Sequence, residues 1–194
     1  MEASLVNAIE LLRNRQAAVT ANLAGQMGEL DGIDLVSPVA PGTSPIALTL
    51  WHIPRTQDYL VSTCLRGVGE VADRFGEGLP DPERYGFGSG LSPDDARQAA
   101  AAVRLPQLLD YATAVGNEID AWLGSLNEAD LDAVPPFLAR QRARAAYVTP
   151  AALADIEGLD GLPVGLLLLR PGFSHLLGHL GEVDILAQIA RAKA

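Results

Sequence analysis

Residues 163–190, PVGLLLLRPGFSHLLGHLGEVDILAQIA, are the stretch that decides the fold. Pro163 opens a long final helix that is expected to reach about Ala190, and Pro171-Gly172 should bend it just before His175. His175 and His179 are four residues apart, so a helix presents both imidazoles on one face. This stretch therefore predicts a helix with two potential metal ligands on one side.

Three further long helices are predicted upstream. They cover residues 2–24, residues 44–67 with Ser44 as N-cap and Pro45 at the first helical position, and residues 92–126 with Ser92-Pro93 at the start and a kink or break at Pro106. The connections at 25–43 and 74–90 are rich in glycine and lack periodicity. Shorter helical pieces are expected at 127–134, 135–147 and 150–157. The pattern predicts an all-α fold: a four-helix bundle with extra short helices between the third and fourth long helices, in one domain spanning 1–194.

Composition limits the partners that the chain is expected to bind. The net charge of −10 argues against a nucleic-acid partner or an anionic membrane, because phosphate groups require a basic face. The small basic cluster at Arg140, Arg142 and Arg144 is interpreted as a solvated helix face. The longest apolar run, near 162–169, is far below membrane-spanning length. We expect a small-molecule partner, no nucleic acid and no membrane.

Cysteine usage and the N-terminal sequence indicate the compartment. Cys64 is the one cysteine of the chain, so no intramolecular disulfide can form, and an apolar helical setting favours a packing role for it. The N-terminus is charged and amphipathic and lacks the pattern of a signal peptide. A cytoplasmic location is the expectation.

The third histidine completes a candidate metal site. His52 lies inside LTLWHIPRTQDYL, near the middle of the second predicted helix. If that helix faces the last one, His52, His175 and His179 form a half-open, all-nitrogen site, which suits Zn²⁺ and also accepts Ni²⁺, Fe²⁺ or Mn²⁺. The alternative is that all three are buried core histidines with carbonyl or carboxylate partners.

Residues near the histidines suggest further roles. Glu182 lies about 20° from His175 around a helix, where it is a fourth ligand, a hydrogen-bond partner of an imidazole, or a general base. Arg55 and Tyr59 flank the His52 face as candidate contacts to a bound cofactor or ligand, and the alternative for Tyr59 is a core aromatic. Asp58 points away from that face, and it is expected to pair with Arg55 at the surface or between helices.

The segments PVAPGTSPIALTLWHIPRTQDYLV (38–61) and HLLGHLGEVDIL (175–186) resemble the DinB-like superfamily. These are metal-binding four-helix bundles that include bacterial thiol S-transferases and the N-terminal region of mycothiol-dependent maleylpyruvate isomerase. The resemblance implies one metal ligand from the second helix and two from the last, corresponding to His52, His175 and His179. It also implies a homodimer as one oligomeric state, since many relatives associate through helix faces.

Three functions remain open on the sequence. The first is a metal-dependent thiol S-transferase or hydrolase that acts on a small electrophile, with a low-molecular-weight thiol as co-substrate and Glu182 as the proton-transfer group. The second is a non-catalytic bundle that holds a metal or an apolar ligand. The third is a structural or interaction role in which the histidines bind no metal.

Overall fold

The computed structural model describes residues 7–144 and 150–193, and within these ranges every regular element is helical. The α-helices, in chain order, are α1 (Ala8–Gly28), α2 (Ile46–Asp58), α3 (Pro82–Tyr85), α4 (Pro93–Ala102), α5 (Leu105–Gly124), α6 (Phe137–Ala143), α7 (Pro150–Glu157), α8 (Val164–Leu167) and α9 (His175–Lys193). Wider π-helical turns continue α2 over Tyr59–Arg66 and α8 over Leu168–Ser174. Two 3₁₀ turns lie at Val71–Arg74 and Glu128–Asp132. The all-α class is confirmed. None of the helices in the described ranges combines the length and apolar character needed to cross a bilayer.

The first helix ends later than its sequence pattern predicts. Asn7 is the N-cap of α1, and its side-chain oxygen accepts hydrogen bonds from two N–H groups of the first turn. The helix continues four residues past Ala24 to Gly28, because Met27 adds one more buried position to its inner face. Residues 2–6 of the predicted helix lie outside the described residues.

The start of α2 corrects one expectation, and its end confirms another. Pro45, not Ser44, is the N-cap, because Pro45 has an extended ψ of 139° and helical geometry begins only at Ile46. The π turns that follow α2 end at Gly67, whose φ of 69° is left-handed. Glycine adopts this conformation without steric cost, so the expected helix stop at this residue is confirmed.

The predicted third helix is divided into α4 and α5. Ser92 caps α4 by accepting a hydrogen bond from the N–H of Asp95, as expected. The helical path then breaks at Val103 and Arg104, and Pro106 lies in the first turn of α5, where its missing N–H costs nothing. Pro106 therefore marks a break between two helices rather than a kink.

The connection between α5 and the last helix contains the short elements that the sequence indicates. The 3₁₀ turn Glu128–Asp132 falls within 127–134, α6 falls within 135–147, and α7 spans 150–157. Residues 145–147 of the second predicted piece lie outside the described residues. In the upstream connection at 74–90, Asp81 caps the unexpected one-turn helix α3.

Packing brings the two histidine-bearing helices together. Helix α1 packs on α5 and α9, and α2 also packs on α5 and α9, so α2 and α9 meet at the core. A buried amide chain reinforces this arrangement: Gln57 Nε2 donates to Gln16 Oε1 at 2.7 Å and lies 3.2 Å from the carbonyl oxygen of Gly172. The three residues belong to α2, α1 and the π turns before α9, respectively. Their hydrogen bonds fix the π turns against α2.

Arg140 and Arg144 of the basic cluster make structural contacts, which corrects their interpretation as part of a solvated face, whereas Arg142 is exposed as expected. Arg140 donates to the carbonyl oxygens of Cys64 and Leu65, where the π turns after α2 leave backbone acceptors without helical partners. Arg144 lies 3.2 Å from the buried carboxylate of Glu70. The periodicity of α6 could not show these contacts, because both partners lie far away in sequence.

The Cys64 thiol is expected to be inert in the folded protein. The residue is fully buried, and burial raises the pKa of its thiol to about 12. An alkylating reagent at mildly alkaline pH should therefore leave the native chain unlabelled and label it once in denaturant. Mass spectrometry reads the result without ambiguity, because the chain has a single cysteine. Rapid native labelling would contradict the buried placement.

Candidate metal centre

The three histidines of the chain converge at the contact between α2 and α9. His52 lies in the middle of α2, while His175 and His179 occupy the first two turns of α9. One nitrogen from each ring can be chosen so that all three lie within 4.8 Å of one another. His52 is buried, His179 is partly exposed and His175 is exposed. This cluster could bind a metal ion, with one side buried in the core and the other open.

The nitrogen spacing suits a divalent metal. Nε2 of His175 lies 3.4 Å from Nε2 of His52 and 3.1 Å from Nε2 of His179. Around a tetrahedral zinc ion with Zn–N bonds of about 2.0–2.1 Å, neighbouring nitrogens are about 3.3–3.4 Å apart. The observed separations are close to this value. The donor set and these two separations are therefore compatible with a metal ion held by the three imidazoles.

Hydrogen bonds on the outer side of two rings direct their Nε2 atoms toward this point. The carbonyl oxygen of Phe87 lies 2.5 Å from Nδ1 of His52, and a carboxylate oxygen of Glu182 lies 2.9 Å from Nδ1 of His179. Because both oxygens act as acceptors, each Nδ1 carries the proton and each Nε2 carries a lone pair. Both lone pairs lie near Nε2 of His175, where either a proton on that nitrogen or a bound cation would satisfy them.

Glu182 lies at the site, and its position matches one of the three roles that the sequence suggested, that of a hydrogen-bond partner of an imidazole. Its carboxylate contacts the His179 ring rather than the cluster of Nε2 atoms, so the geometry matches a hydrogen-bond partner of an imidazole. Glu182 also lines the open cavity beside the cluster. Its role as a general base stays a prediction.

Arg55 and Tyr59 lie near the site, but they contact the loop that contains Gly86 and Phe87 rather than the histidines. The Arg55 guanidinium is fully buried, with Nη2 2.5 Å from Glu70 and Nε donating to the carbonyl oxygen of Gly86 at 3.1 Å. The ring of Tyr59 stacks on Phe87, with 5.2 Å between centroids. Neither residue lines the cavities next to the histidines, and their role as ligand contacts stays a prediction.

Asp58 and Arg55 do not form the surface or interhelix pair that was expected. Both side chains are buried and belong to α2, and Nη1 of Arg55 lies 3.9 Å from the Asp58 carboxylate. Asp58 instead accepts hydrogen bonds from the Tyr111 hydroxyl at 2.8 Å and from the N–H groups of Val71 and Ala72. The i, i+3 spacing identified the pair, but only tertiary packing shows that it is buried.

Sequence reasoning identified the glycine-rich connection at 74–90 but missed that it covers His52. The loop contains Phe87 and Gly88. The φ of Gly88 is 90°, a backbone conformation that favours glycine. A Cβ on Gly88 would lie 3.2 Å from the Trp51 ring and 3.5 Å from Nδ1 of His52, so a side chain would be crowded there. The glycine density of RYGFGSG, at 84–90, was the available signal, but it does not reveal which carbonyl meets a histidine.

Two cavities that share three lining residues open beside the histidines. The larger, of about 380 Å³, is mostly apolar and lies between α7 and the start of α9; its walls include Phe87, Ile156, Leu159, Arg170 and Pro171. The smaller, of about 270 Å³, lies over the cluster and is lined by His179 and Glu182. His52, Ser89 and His175 line both cavities. A small molecule in either cavity would therefore reach the histidines.

Metal-free protein should lose stability in mild acid because of His52. Burial, together with the nearby His179 ring, lowers the pKa of His52 from 6.5 to about 3. Between these values the unfolded chain binds a proton that the folded chain does not, so stability falls as pH falls through 6.5. The loss is at most about 1.4 kcal/mol per pH unit. Urea unfolding in EDTA at pH 7.5 and 5.5 measures it.

A His52→Asn variant is the control for this pH dependence. The amide can donate to Phe87 as Nδ1 does, but it does not titrate. The pH-dependent loss of stability should shrink in this variant. An equal loss in both proteins would assign the pH dependence to other groups.

No protein-family model matches the chain, and no curated protein shows detectable similarity to it. The class is therefore defined by the fold and the site alone: an all-helical protein with a candidate three-histidine metal centre at the contact of two helices.

Proposed function

We propose that the chain is a divalent-metal-binding four-helix bundle of the DinB-like type, with Zn²⁺ as the preferred ion. The observation that carries the proposal is the convergence of three Nε2 atoms, with two of the rings oriented through Nδ1. The placement of His52 on α2 and of the other two on the last helix supports the family assignment. Ni²⁺, Fe²⁺ and Mn²⁺ are alternative ions for the same donors.

Within this class, we propose a thiol S-transferase or hydrolase acting on a small electrophile. A metal held by His52, His175 and His179 would supply a Lewis acid, which would lower the pKa of a water or a low-molecular-weight thiol. Among the described residues, Glu182 is the one acid that lines either cavity, which supports it as the group that takes up the proton released by that nucleophile. Phe87, Ile156 and Leu159 would hold the apolar body of the substrate and exclude water from it.

A non-catalytic binding bundle is the second candidate, and the position of Glu182 favours it. The carboxylate is already engaged by His179, and the described lining of the two cavities contains no second acid. A group that only orients a ligand ring need not transfer protons. Retained metal without turnover on a panel of electrophiles and thiols would support this alternative over catalysis.

Metal analysis of the purified protein tests the proposal. Plasma mass spectrometry should find close to one divalent ion per chain, either as isolated or after incubation with Zn²⁺ or Ni²⁺ and removal of the excess. A chain that takes up neither ion would overturn the metal proposal, and the enzyme proposal with it.

Glu182→Gln separates catalysis from ligand orientation. Glutamine keeps an oxygen that accepts from His179 but cannot take up a proton, so the variant should still load fully at saturating Zn²⁺. Its zinc affinity should fall by about 10-fold, as is typical when a partner of a ligating histidine is altered. If Glu182 is the base, turnover of the loaded variant should fall by about 100-fold or more. Unchanged turnover would remove Glu182 from the proton-transfer role.

A further inference from the structure

Among the residues that the structure describes, Arg170 is the one arginine or lysine that lines either cavity beside the histidines. It is exposed, and within the described part of the chain it has no ion-pair partner. The chain as a whole carries a net charge of −10, which repels anions from most of its surface. Arg170 therefore gives this mostly apolar cavity a positive charge, unlike most of the protein surface. That charge affects which ligands the cavity can bind.

The π turns explain why Arg170 faces the same cavity as His175. In a regular α-helix, two residues five apart would differ by about 140° around the axis. In π turns the hydrogen bonds span i to i+5, so residues five apart come close to one side of the helix. Pro171 lies inside these turns and has no N–H for an α-helical ladder, which favours the wider geometry. Both Arg170 and His175 consequently line the 380 Å³ cavity.

The remaining lining residues narrow the chemistry of the ligand. Phe87, Ile156, Leu159 and Pro171 offer apolar surface, and Thr56 and Ser89 add two hydroxyl groups. One guanidinium is matched by a single negative charge, and its fork geometry suits a carboxylate. A phosphate dianion would call for further cationic side chains around it, and the described lining of the two cavities provides no second arginine or lysine.

We infer that the substrate of this site is a small carboxylate on a short apolar body, bound with its carboxylate on Arg170 and its other end at the histidines. This inference rests on the proposed function for the reacting end, and it adds the substrate class. The carboxylate sets the orientation, because the apolar wall alone would accept the molecule in either direction. Arg170 is accordingly a substrate-binding residue that determines specificity.

Ligand binding, rather than turnover, tests this assignment. The probes are 3-phenylpropionate and its neutral amide, 3-phenylpropionamide, titrated calorimetrically into zinc-saturated wild type and Arg170→Gln. Wild type should prefer the acid by about 10-fold, as expected for one partly solvated charge-assisted pair. Arg170→Gln should reduce this preference to about twofold or less. A direct bond from the carboxylate to zinc would be shared by both proteins, so the difference between them isolates Arg170.

Arg15→Gln is the matched control, because it removes one positive charge from an exposed site on α1. It should keep the preference of wild type. The inference is overturned if wild type binds the acid no better than the amide, if neither probe binds, or if Arg170→Gln keeps the full preference. A His179→Ala chain that lacks zinc yet still prefers the acid would separate the two proposals, because the carboxylate site would stand without the metal.

Discussion

Alanine at His175 or His179 is expected to lower the zinc affinity of the protein by more than about 100-fold. Each substitution removes one of three nitrogen donors, and altering only a partner of a ligating histidine already costs about 10–100-fold. Both variants give a cleaner test than His52→Ala, because His175 is exposed and His179 is partly exposed, so the removal of either ring leaves less empty volume in the core. Competition against a chromogenic zinc chelator measures the change, and plasma mass spectrometry measures the metal retained after purification.

His52→Ala should lose metal as well, but it should also lose stability. The His52 ring is buried, and its removal leaves the Phe87 carbonyl oxygen without its 2.5 Å partner. The metal content of this variant therefore needs to be read together with its unfolding curve, whereas that of His179→Ala can be read directly.

Thr56→Val is the matched control for the histidine series. The Thr56 hydroxyl lies 3.3 Å from Nε2 of His52, so the substitution alters the site without removing a nitrogen donor. Its metal content should match that of wild type. The three candidate ligands are also the only histidines of the chain, so no other imidazole can replace a lost donor. Wild-type metal content in both His175→Ala and His179→Ala would refute the site.

Local signals in the sequence were sufficient where the structure depends on local chemistry. Ser92-Pro93 identified the start of α4, and Gly67 identified the end of the segment that carries His52. The four-residue spacing of His175 and His179 placed both rings on one face, and their Nε2 atoms lie 3.1 Å apart. These features require only neighbouring residues, so a single sequence contains them.

Features that depend on distant partners were not predictable from the same sequence. The carbonyl that orients His52 belongs to Phe87, and any residue type could supply it. The π turns before His175 arise from a compromise between Pro171 and the packing of Gly172, where a Cβ would lie 3.2 Å from Leu60. These π turns bring Arg170 to the wall of the cavity that His175 also lines. Regular α-helical periodicity would have predicted a different face of the helix for Arg170.

The buried position of Glu70 also depends on partners that are distant in sequence. Its substitution has the largest expected effect on stability. The residue lies in the stretch GVGEVADR, at 67–74, which has no periodicity, yet its side chain is fully buried. It pairs with Arg55 at 2.5 Å and with Arg144 at 3.2 Å, and it accepts a hydrogen bond from the Thr63 hydroxyl. Glu70→Ala should lower the free energy of unfolding by about 3–5 kcal/mol, because it removes the nearer counter-charge of a buried guanidinium and leaves it the Asp58 carboxylate at 3.9 Å. Urea unfolding followed by circular dichroism measures the change.

Asp120→Ala is the control, since Asp120 forms a two-pronged pair with Arg13 at 2.7 and 2.8 Å on the surface. Solvent screens that pair, so its loss should cost far less than the loss of Glu70. Equal losses in the two variants would show that burial does not strengthen the Glu70 pair. A double variant, Arg55→Met with Glu70→Leu, should recover much of the stability, because an apolar pair of similar volume removes both buried charges together.

The Glu70 variant also connects stability to the metal centre. Arg55, which Glu70 holds, donates to the carbonyl oxygen of Gly86, and the next carbonyl along the chain, that of Phe87, orients His52. Glu70→Ala should therefore weaken zinc binding although it contacts no histidine, and the double variant should restore stability without restoring affinity. If both variants bind zinc as wild type does, the Gly86–Phe87 loop holds its position without Arg55. The orientation of His52 would then depend on the loop glycines alone.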